Sequence, residues 1–182
     1  MAHDPYDTSS NARRRGIVRL YGASLSSITD GLSQTAFFSE RVKGDLSDDV
    51  YDPWRDRLLT PGSGAGTPNE LMASCTRAFS TGFHFSHDGT NWSVTDDEQT
   101  LYTHVLTPNS RIPDCRVAGT PVAAARSWHR GVVSVGFGDG SCRFVSAQID
   151  INIWRAHATP DAADRVDRPF WRYIPGIPRR YN

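Results

Sequence analysis

The alternation of apolar and polar positions is clearest in the C-terminal third of the chain. Residues 131–137 read Gly-Val-Val-Ser-Val-Gly-Phe and residues 141–145 read Ser-Cys-Arg-Phe-Val, with Asp139 and Gly140 between them. Valine and aromatic residues favour strands, and Asp-Gly between two such runs is typical of a tight hairpin turn. The pattern therefore predicts a β-hairpin over residues 131–145.

Two short helices are predicted from local signals. Thr67 offers a capping hydroxyl, Pro68 suits the first helical position and Glu70 places a negative charge in the first turn. A helix is therefore expected from this point to about residue 79. A second helical segment is expected over residues 151–156.

The rest of the chain predicts one domain with a long excursion. Residues 35–42 are apolar and β-favouring and predict a buried strand. The next stretch is acidic and then rich in glycine and proline, which predicts a surface excursion over residues 43–66 rather than a domain boundary. Residues 1–15 hold too few apolar side chains to pack and are expected to be disordered. Residues 16–182 are expected to form a single globular domain.

Composition excludes two classes of function. The chain has 20 basic and 20 acidic residues, so its formal charge is zero and it lacks the global field that collects nucleic acid. No window approaches the run of about 18 apolar residues that a membrane span needs. The opening residues are too polar for a signal peptide, so the chain as written is expected to be soluble.

The three cysteines exclude a C-x-x-C metal or redox motif. One disulfide with one free thiol is open to them. Cys142 lies in a strand-like run, where a small buried thiol is expected, and this favours Cys75 and Cys115 as the bridged pair. Such a bridge would imply an oxidising compartment.

Aromatic side chains are interpreted as parts of the core, because they bury large apolar areas. The residues interpreted in this way are Trp92, Trp128, Trp154, Phe37 and Phe38. A binding module for extracellular polysaccharide or protein is one alternative, and it rests on loop aromatics such as Trp92.

Four segments in one order resemble a known family. They cover residues 28–41, 106–115, 127–141 and 149–156, and the third contains an H-x9-D-G signature that runs from His129 to Gly140. The chain resembles bacterial type IV pilin-like proteins, or pseudopilins, that carry the prepilin-type processing-associated H-x9-D-G domain. The resemblance spans roughly residues 16–160.

The resemblance implies an α+β fold of the pilin type, built around an antiparallel sheet with short helices and related to the major pseudopilin of type II secretion. It also implies a location in the cell envelope or outside the cell, with other pilin-like subunits as partners. Family members begin with a cleavable leader and a long apolar helix, and nothing in this sequence matches them. The chain is therefore expected to be a soluble head domain without the anchor helix and to have a structural or assembly role. Arg130 stands where the family usually has proline, and Cys142 where it usually has a small residue.

Calcium is the cofactor that the resemblance implies, because pseudopilins of this kind commonly bind it in a loop. Calcium takes six to eight oxygen ligands, and residues 44–52 supply four carboxylates. Two further aspartates in predicted turns add to the donor set. The candidate ligands are Asp30, Asp45, Asp48, Asp49, Asp52 and Asp139.

His129 and Glu40 are the candidate catalytic residues of a second hypothesis. A straight strand of ten steps at about 3.3 Å would separate His129 from Asp139 by about 33 Å, so these two are each expected to support a separate turn. The alternative function is a calcium-dependent hydrolase of small esters or lactones, with His129 or Glu40 as the base. No motif in the sequence demands that chemistry.

Overall fold

The computed structural model describes residues 2–3, 24–60, 66–78, 83–94 and 99–160. These residues form short strands, two helices and a 3-10 turn at Leu25–Ser27. The strands are β1 (Ala2–His3), β2 (Ala36–Ser39), β3 (Arg57–Thr60), β4 (His84–Phe85), β5 (Tyr102–Thr103), β6 (Asp114–Val117), β7 (Thr120–Val122), β8 (Val132–Phe137) and β9 (Cys142–Ser146). The helices are α1 (Pro68–Ala78) and α2 (Ile151–Ala156). The fold is α+β, as predicted.

The antiparallel sheet has the strand order β2-β8-β9 and contains the predicted hairpin. Residues on β8 alternate, with Val133, Val135 and Phe137 facing the core, as the apolar periodicity requires. A bulge in β2 lies between Ala36 and Phe38. Because β8 lies between them, β2 and β9 form the two edges of this sheet. The alternating burial along β8 shows that one face of the sheet is buried.

The short helix α2 closes the core of the antiparallel sheet. The Asp150 carboxylate caps it by accepting from the Asn152 N–H at 2.8 Å. Trp154 is fully buried, donates its indole N–H to the Leu106 carbonyl at 2.8 Å and stacks on the His104 ring. This single aromatic side chain links the helix to the middle of the chain.

The mixed sheet has the order β4-β3-β6-β7, with β3 and β6 parallel. Helix α1 packs on it and buries Leu71 in a second core cluster with Leu58. The predicted cap at Thr67 is part of a capping box: Glu70 accepts from the Thr67 N–H at 2.7 Å, and the Thr67 hydroxyl accepts from the Glu70 N–H at 3.4 Å. The resemblance implied an antiparallel architecture, but among the described strands only the sheet β2-β8-β9 is purely antiparallel.

Several interpretations of the sequence are wrong in detail. Strand β3 lies within residues 43–66, which were expected to be a surface excursion. Four side chains expected in the core are exposed instead, because they lie on the outer face of a sheet or on loops: Phe38, Trp92, Trp128 and Cys142. Of the residues expected to be disordered, Ala2 and His3 pair with β5, and the others lie outside the described part of the chain.

A buried carboxylate joins three segments. Asp88 lies between Arg41 and Arg57, with nitrogen–oxygen distances of 2.5 Å and 3.2 Å, and all three side chains are largely buried. Each residue comes from a different part of the sequence, so the group ties the end of β2, the start of β3 and the segment after β4 together.

Neither of the two helices in the described part of the chain is long and apolar enough to cross a bilayer.

Candidate functional site

His129 and Glu40 meet at one edge of the antiparallel sheet. His129 Nε2 lies 3.1 Å from Glu40 Oε1. The other carboxylate oxygen of Glu40 accepts from the Ser134 N–H of β8 at 2.7 Å, and the Glu40 carbonyl accepts from the Arg126 N–H at 2.9 Å. Glu40, which directly follows β2, is therefore fixed by three separate contacts. Sequence reasoning named both residues but gave no reason for them to touch.

The loop that carries His129 is held by short polar side chains. The Ser127 hydroxyl donates to the Val132 carbonyl at 2.8 Å and accepts from the His129 N–H at 3.1 Å. Asn109 donates to the same Val132 carbonyl at 3.0 Å. The His129 ring lies edge-on to Phe144, and more than half of its side chain is exposed. The imidazole is therefore accessible to solvent while its backbone stays fixed.

Asp139 holds the hairpin turn and does not contact His129. Its carboxylate accepts from the Ser141 hydroxyl at 2.7 Å and from the Ser141 N–H at 2.9 Å. These two hydrogen bonds lower the pKa of Asp139. Its own N–H donates to the Leu32 carbonyl at 3.2 Å. The aspartate of the signature thus stabilises a turn.

The acidic segment is attached to the residues that follow β4. The Gly44 N–H donates to the Asp88 carbonyl at 2.8 Å, and the Leu46 N–H donates to the Ser86 carbonyl at 3.0 Å. A Cβ at Gly44 would overlap the Ser86 carbonyl oxygen, so the close approach requires glycine. The first part of this segment is therefore fixed by backbone hydrogen bonds.

Most carboxylates of this segment accept local hydrogen bonds. Asp45 accepts from Ser47 N–H at 3.0 Å, Asp48 from Ser86 N–H at 2.9 Å and Asp52 from Trp54 N–H at 2.8 Å, while Asp49 is exposed. The hydrogen bond from Ser86 lowers the pKa of Asp48. Asp30 and Asp139 belong to turns at the hairpin end of the antiparallel sheet. In the described ranges, no three Asp, Glu, His or Cys side chains form a group that could hold a metal ion. The calcium site that these six carboxylates would form therefore stays a prediction.

A disulfide joins Cys75 of α1 to Cys115 of β6, and both residues are fully buried. This is the pair that the sequence analysis favoured, although its premise about Cys142 was wrong. Cys142 is a free thiol on β9 and is exposed. The bridge fixes the helix to the mixed sheet and is typical of an oxidising compartment.

One comparison with known proteins gives a match. A family model described as "Protein of unknown function (DUF1559)" matches residues 3–152, well over half of the chain. Comparison with the curated proteins and with the solved structures finds no match. The matched residues include the disulfide, the contact between His129 and Glu40, and the hairpin.

Proposed function

Because this chain belongs to the DUF1559 family, a family of bacterial pilin-like, prepilin-associated proteins, we propose that it is a pseudopilin-like head domain with a structural or assembly role in a pilus or secretion system. Its partners in this proposal are other pilin-like subunits, and its location is the cell envelope or the exterior. The observation that carries the proposal is an exposed aromatic face on the antiparallel sheet. We call it the outer sheet face.

The outer sheet face carries Phe38 and Phe144, which are 55% and 61% exposed. The strand register places Phe38 opposite Gly136, Gly136 opposite Cys142, and Phe144 opposite Ser134. The two phenyl rings therefore project from the same side of a three-stranded sheet, on its two edge strands. Single exposed apolar residues are normal, but two aromatic rings sharing one face favour contact with a partner.

The residues of the signature border this face. Glu40 extends β2 beyond Phe38, and its contact with His129 places the imidazole beside Phe144. Because the polar groups of this region bind the protein itself, their geometry supports a role in shaping the face. We therefore expect the face to bind a second pilin-like subunit, and a second copy of this chain is the simplest partner to test.

Sedimentation of the full chain tests the proposal. In a Cys142→Ser background, which prevents disulfide exchange, the parent chain should associate as its concentration rises. The double change of Phe38 and Phe144 to serine should abolish association. Phe83→Ser is the matched control because Phe83 is also exposed but lies outside this sheet. A parent chain that stays monomeric at millimolar concentration, or equal loss in the control, would refute the proposal.

The second candidate function is hydrolysis of a small ester or lactone, and the contact between His129 and Glu40 favours it. In that reaction His129 would take a proton from an attacking water while Glu40 orients the ring. His129→Gln and Glu40→Gln should then abolish turnover while the melting temperature changes little. A structural head domain predicts no turnover in the parent chain, so an ester and lactone screen separates the two functions.

Calcium binding is a prediction of the resemblance, and no step of either function depends on it here. A cation that binds only the folded chain raises stability by about 2.7 kcal/mol at a hundredfold excess over its Kd. A higher melting temperature after calcium is added to EDTA-treated protein would support binding. An unchanged melting temperature would contradict calcium binding.

A further inference from the structure

A groove of about 690 Å³ is lined in part by His129. Its walls are the loops at residues 107–111 and 127–131, with residues 147–148 and Trp54 completing them. This volume falls within the roughly 300–1,000 Å³ of ligand sites in proteins. The lining is aromatic, polar and basic, and none of its described residues is acidic.

One wall of the groove is fixed by a buried arginine. Arg126 donates to Asp114 at 2.9 Å, to the Ser110 carbonyl at 2.7 Å and to the Ile112 carbonyl at 2.8 Å. The same guanidinium lies 5.1 Å from the centre of the Trp54 ring. The loop that contains Ser110 and Ile112 and the indole ring of Trp54 are therefore held in place before any ligand binds. This reduces the conformational entropy that is lost on binding.

Trp128 lies beside Trp54, with the two ring centres 6.3 Å apart, and is carried by a fixed loop. The Asn109 side chain accepts from the Ser127 N–H at 2.8 Å and donates to the Val132 carbonyl at 3.0 Å, so both ends of the loop are anchored. Trp128 is nevertheless 68% exposed. The Arg55 guanidinium lies 5.3 Å from the centre of the Trp128 ring and supports it. A large aromatic surface is thus offered to solvent by a rigid segment.

The groove also has uncompensated positive charge. Arg111 and Arg130 line it and are exposed, and neither has an ion-pair partner within the described part of the chain. Arginine binds carboxylate and other planar anions through two parallel hydrogen bonds. An anionic group on the ligand would therefore find a partner at the rim.

We infer that this groove binds an acidic oligosaccharide, with one sugar ring stacked on Trp128 and a sugar carboxylate paired with Arg111 or Arg130. The C–H face of a pyranose carries partial positive charge and suits the negative face of an indole. Gln148 and Thr107 offer polar groups to the hydroxyls. The disulfide between Cys75 and Cys115 indicates an oxidising compartment, such as the cell exterior.

Titration calorimetry of the full chain with an oligomer of galacturonic acid tests the inference. Trp128→Ala should weaken binding by about tenfold or more, equivalent to about 1.4 kcal/mol, because the stacking surface is lost. The double change of Arg111 and Arg130 to glutamine should weaken binding by a similar factor and reduce its salt dependence. Trp92→Ala is the matched control: Trp92 is 88% exposed and lies outside the groove, so affinity should not change.

Two further ligands test which chemical class of ligand the groove binds. A neutral oligomer of glucose and a single-stranded oligodeoxynucleotide should each bind at least about tenfold more weakly than the uronate. The inference is overturned if the parent chain does not bind the uronate, if the oligonucleotide or the neutral sugar binds as tightly, or if Trp92→Ala has the same effect as Trp128→Ala. If Trp128→Ala lowers the melting temperature, the arginine variant decides alone, since both of its positions are exposed.

Discussion

Removal of the disulfide between Cys75 and Cys115 should be among the most destabilising changes to this fold. The bond joins residues 40 apart in sequence and connects α1 to β6 through fully buried sulfur atoms. Without it, the unfolded chain is free to sample many more conformations, while the folded core keeps its other contacts. The perturbation is the double substitution of both cysteines by alanine.

The magnitude follows from the size of the closed loop. For a closed loop of this length, the reduced entropy of the unfolded chain stabilises the fold by about 4 kcal/mol at 25 °C. Truncating two buried side chains adds roughly 1 kcal/mol for each, because the surrounding core of Leu58 and Leu71 refills the space only in part. We expect a total loss of about 4 to 6 kcal/mol, a large share of the stability of a typical domain, which is about 5 to 15 kcal/mol.

Urea unfolding followed by circular dichroism measures this loss. The double variant should unfold at a lower urea concentration and with a steeper m-value, since its unfolded state exposes more surface. Adding reductant to the parent chain should reproduce most of the shift, whereas Cys142→Ser should change little. A loss below about 1 kcal/mol in the double variant would refute the reasoning, because the loop term alone exceeds it.

Two more predictions concern Gly44 and His104. Gly44→Ala should cost about 2 kcal/mol or more in urea unfolding, since its Cβ would lie 2.6 Å from the Ser86 carbonyl carbon. Gly136→Ala, where a Cβ makes ordinary contacts, should change stability by less than about 1 kcal/mol, and equal losses would contradict the steric argument. Burial lowers the pKa of His104 to about 3, so the unfolded chain binds this proton more readily and stability should fall as pH drops below about 6.5, by up to about 1.4 kcal/mol per pH unit. His104→Gln should flatten that slope in melting curves recorded between pH 7 and 5, and an unchanged slope in the variant would contradict the role given to His104.

Local signals in the sequence were enough to predict several elements. The hairpin formed by β8 and β9 follows from alternation and from an Asp-Gly turn, and α1 follows from the cap at Thr67 and from Pro68. Each signal acts within a few residues of the element that it specifies. Such elements are therefore readable without knowledge of the rest of the fold.

Long-range pairing was not readable in the same way. Strand β3 is only four residues long and pairs with β6 in parallel, far away in sequence, so no turn signal announces it. The burial of aromatic residues was also misjudged, because Phe38 alternates as a strand residue should but faces outward. Periodicity gives the two faces of a strand and does not say which one meets the core.

In the candidate site, too, local signals identified some residues, whereas contacts between distant residues could not be predicted. The H-x9-D-G spacing identified His129 and Asp139, and the turn role of Asp139 follows from its Asp-Gly context. The contact between His129 and Glu40 joins residues far apart in sequence and had no local signal. The groove was missed for a related reason: Trp128 was interpreted as a core residue, and Arg126 gave no sign in the sequence that it would be buried.

The carboxylate between Arg41 and Arg57 has a consequence for how this sequence can diverge. Loss of Asp88 alone would leave two guanidinium groups buried side by side, and removing one partner from a buried charge pair costs about 3 to 5 kcal/mol. Replacing all three residues by apolar ones of similar volume removes the charges together and is often neutral. Homologous chains should therefore inherit Arg41, Arg57 and Asp88 as a set or lose them as a set, and a relative that keeps only the arginines would need a new acidic neighbour.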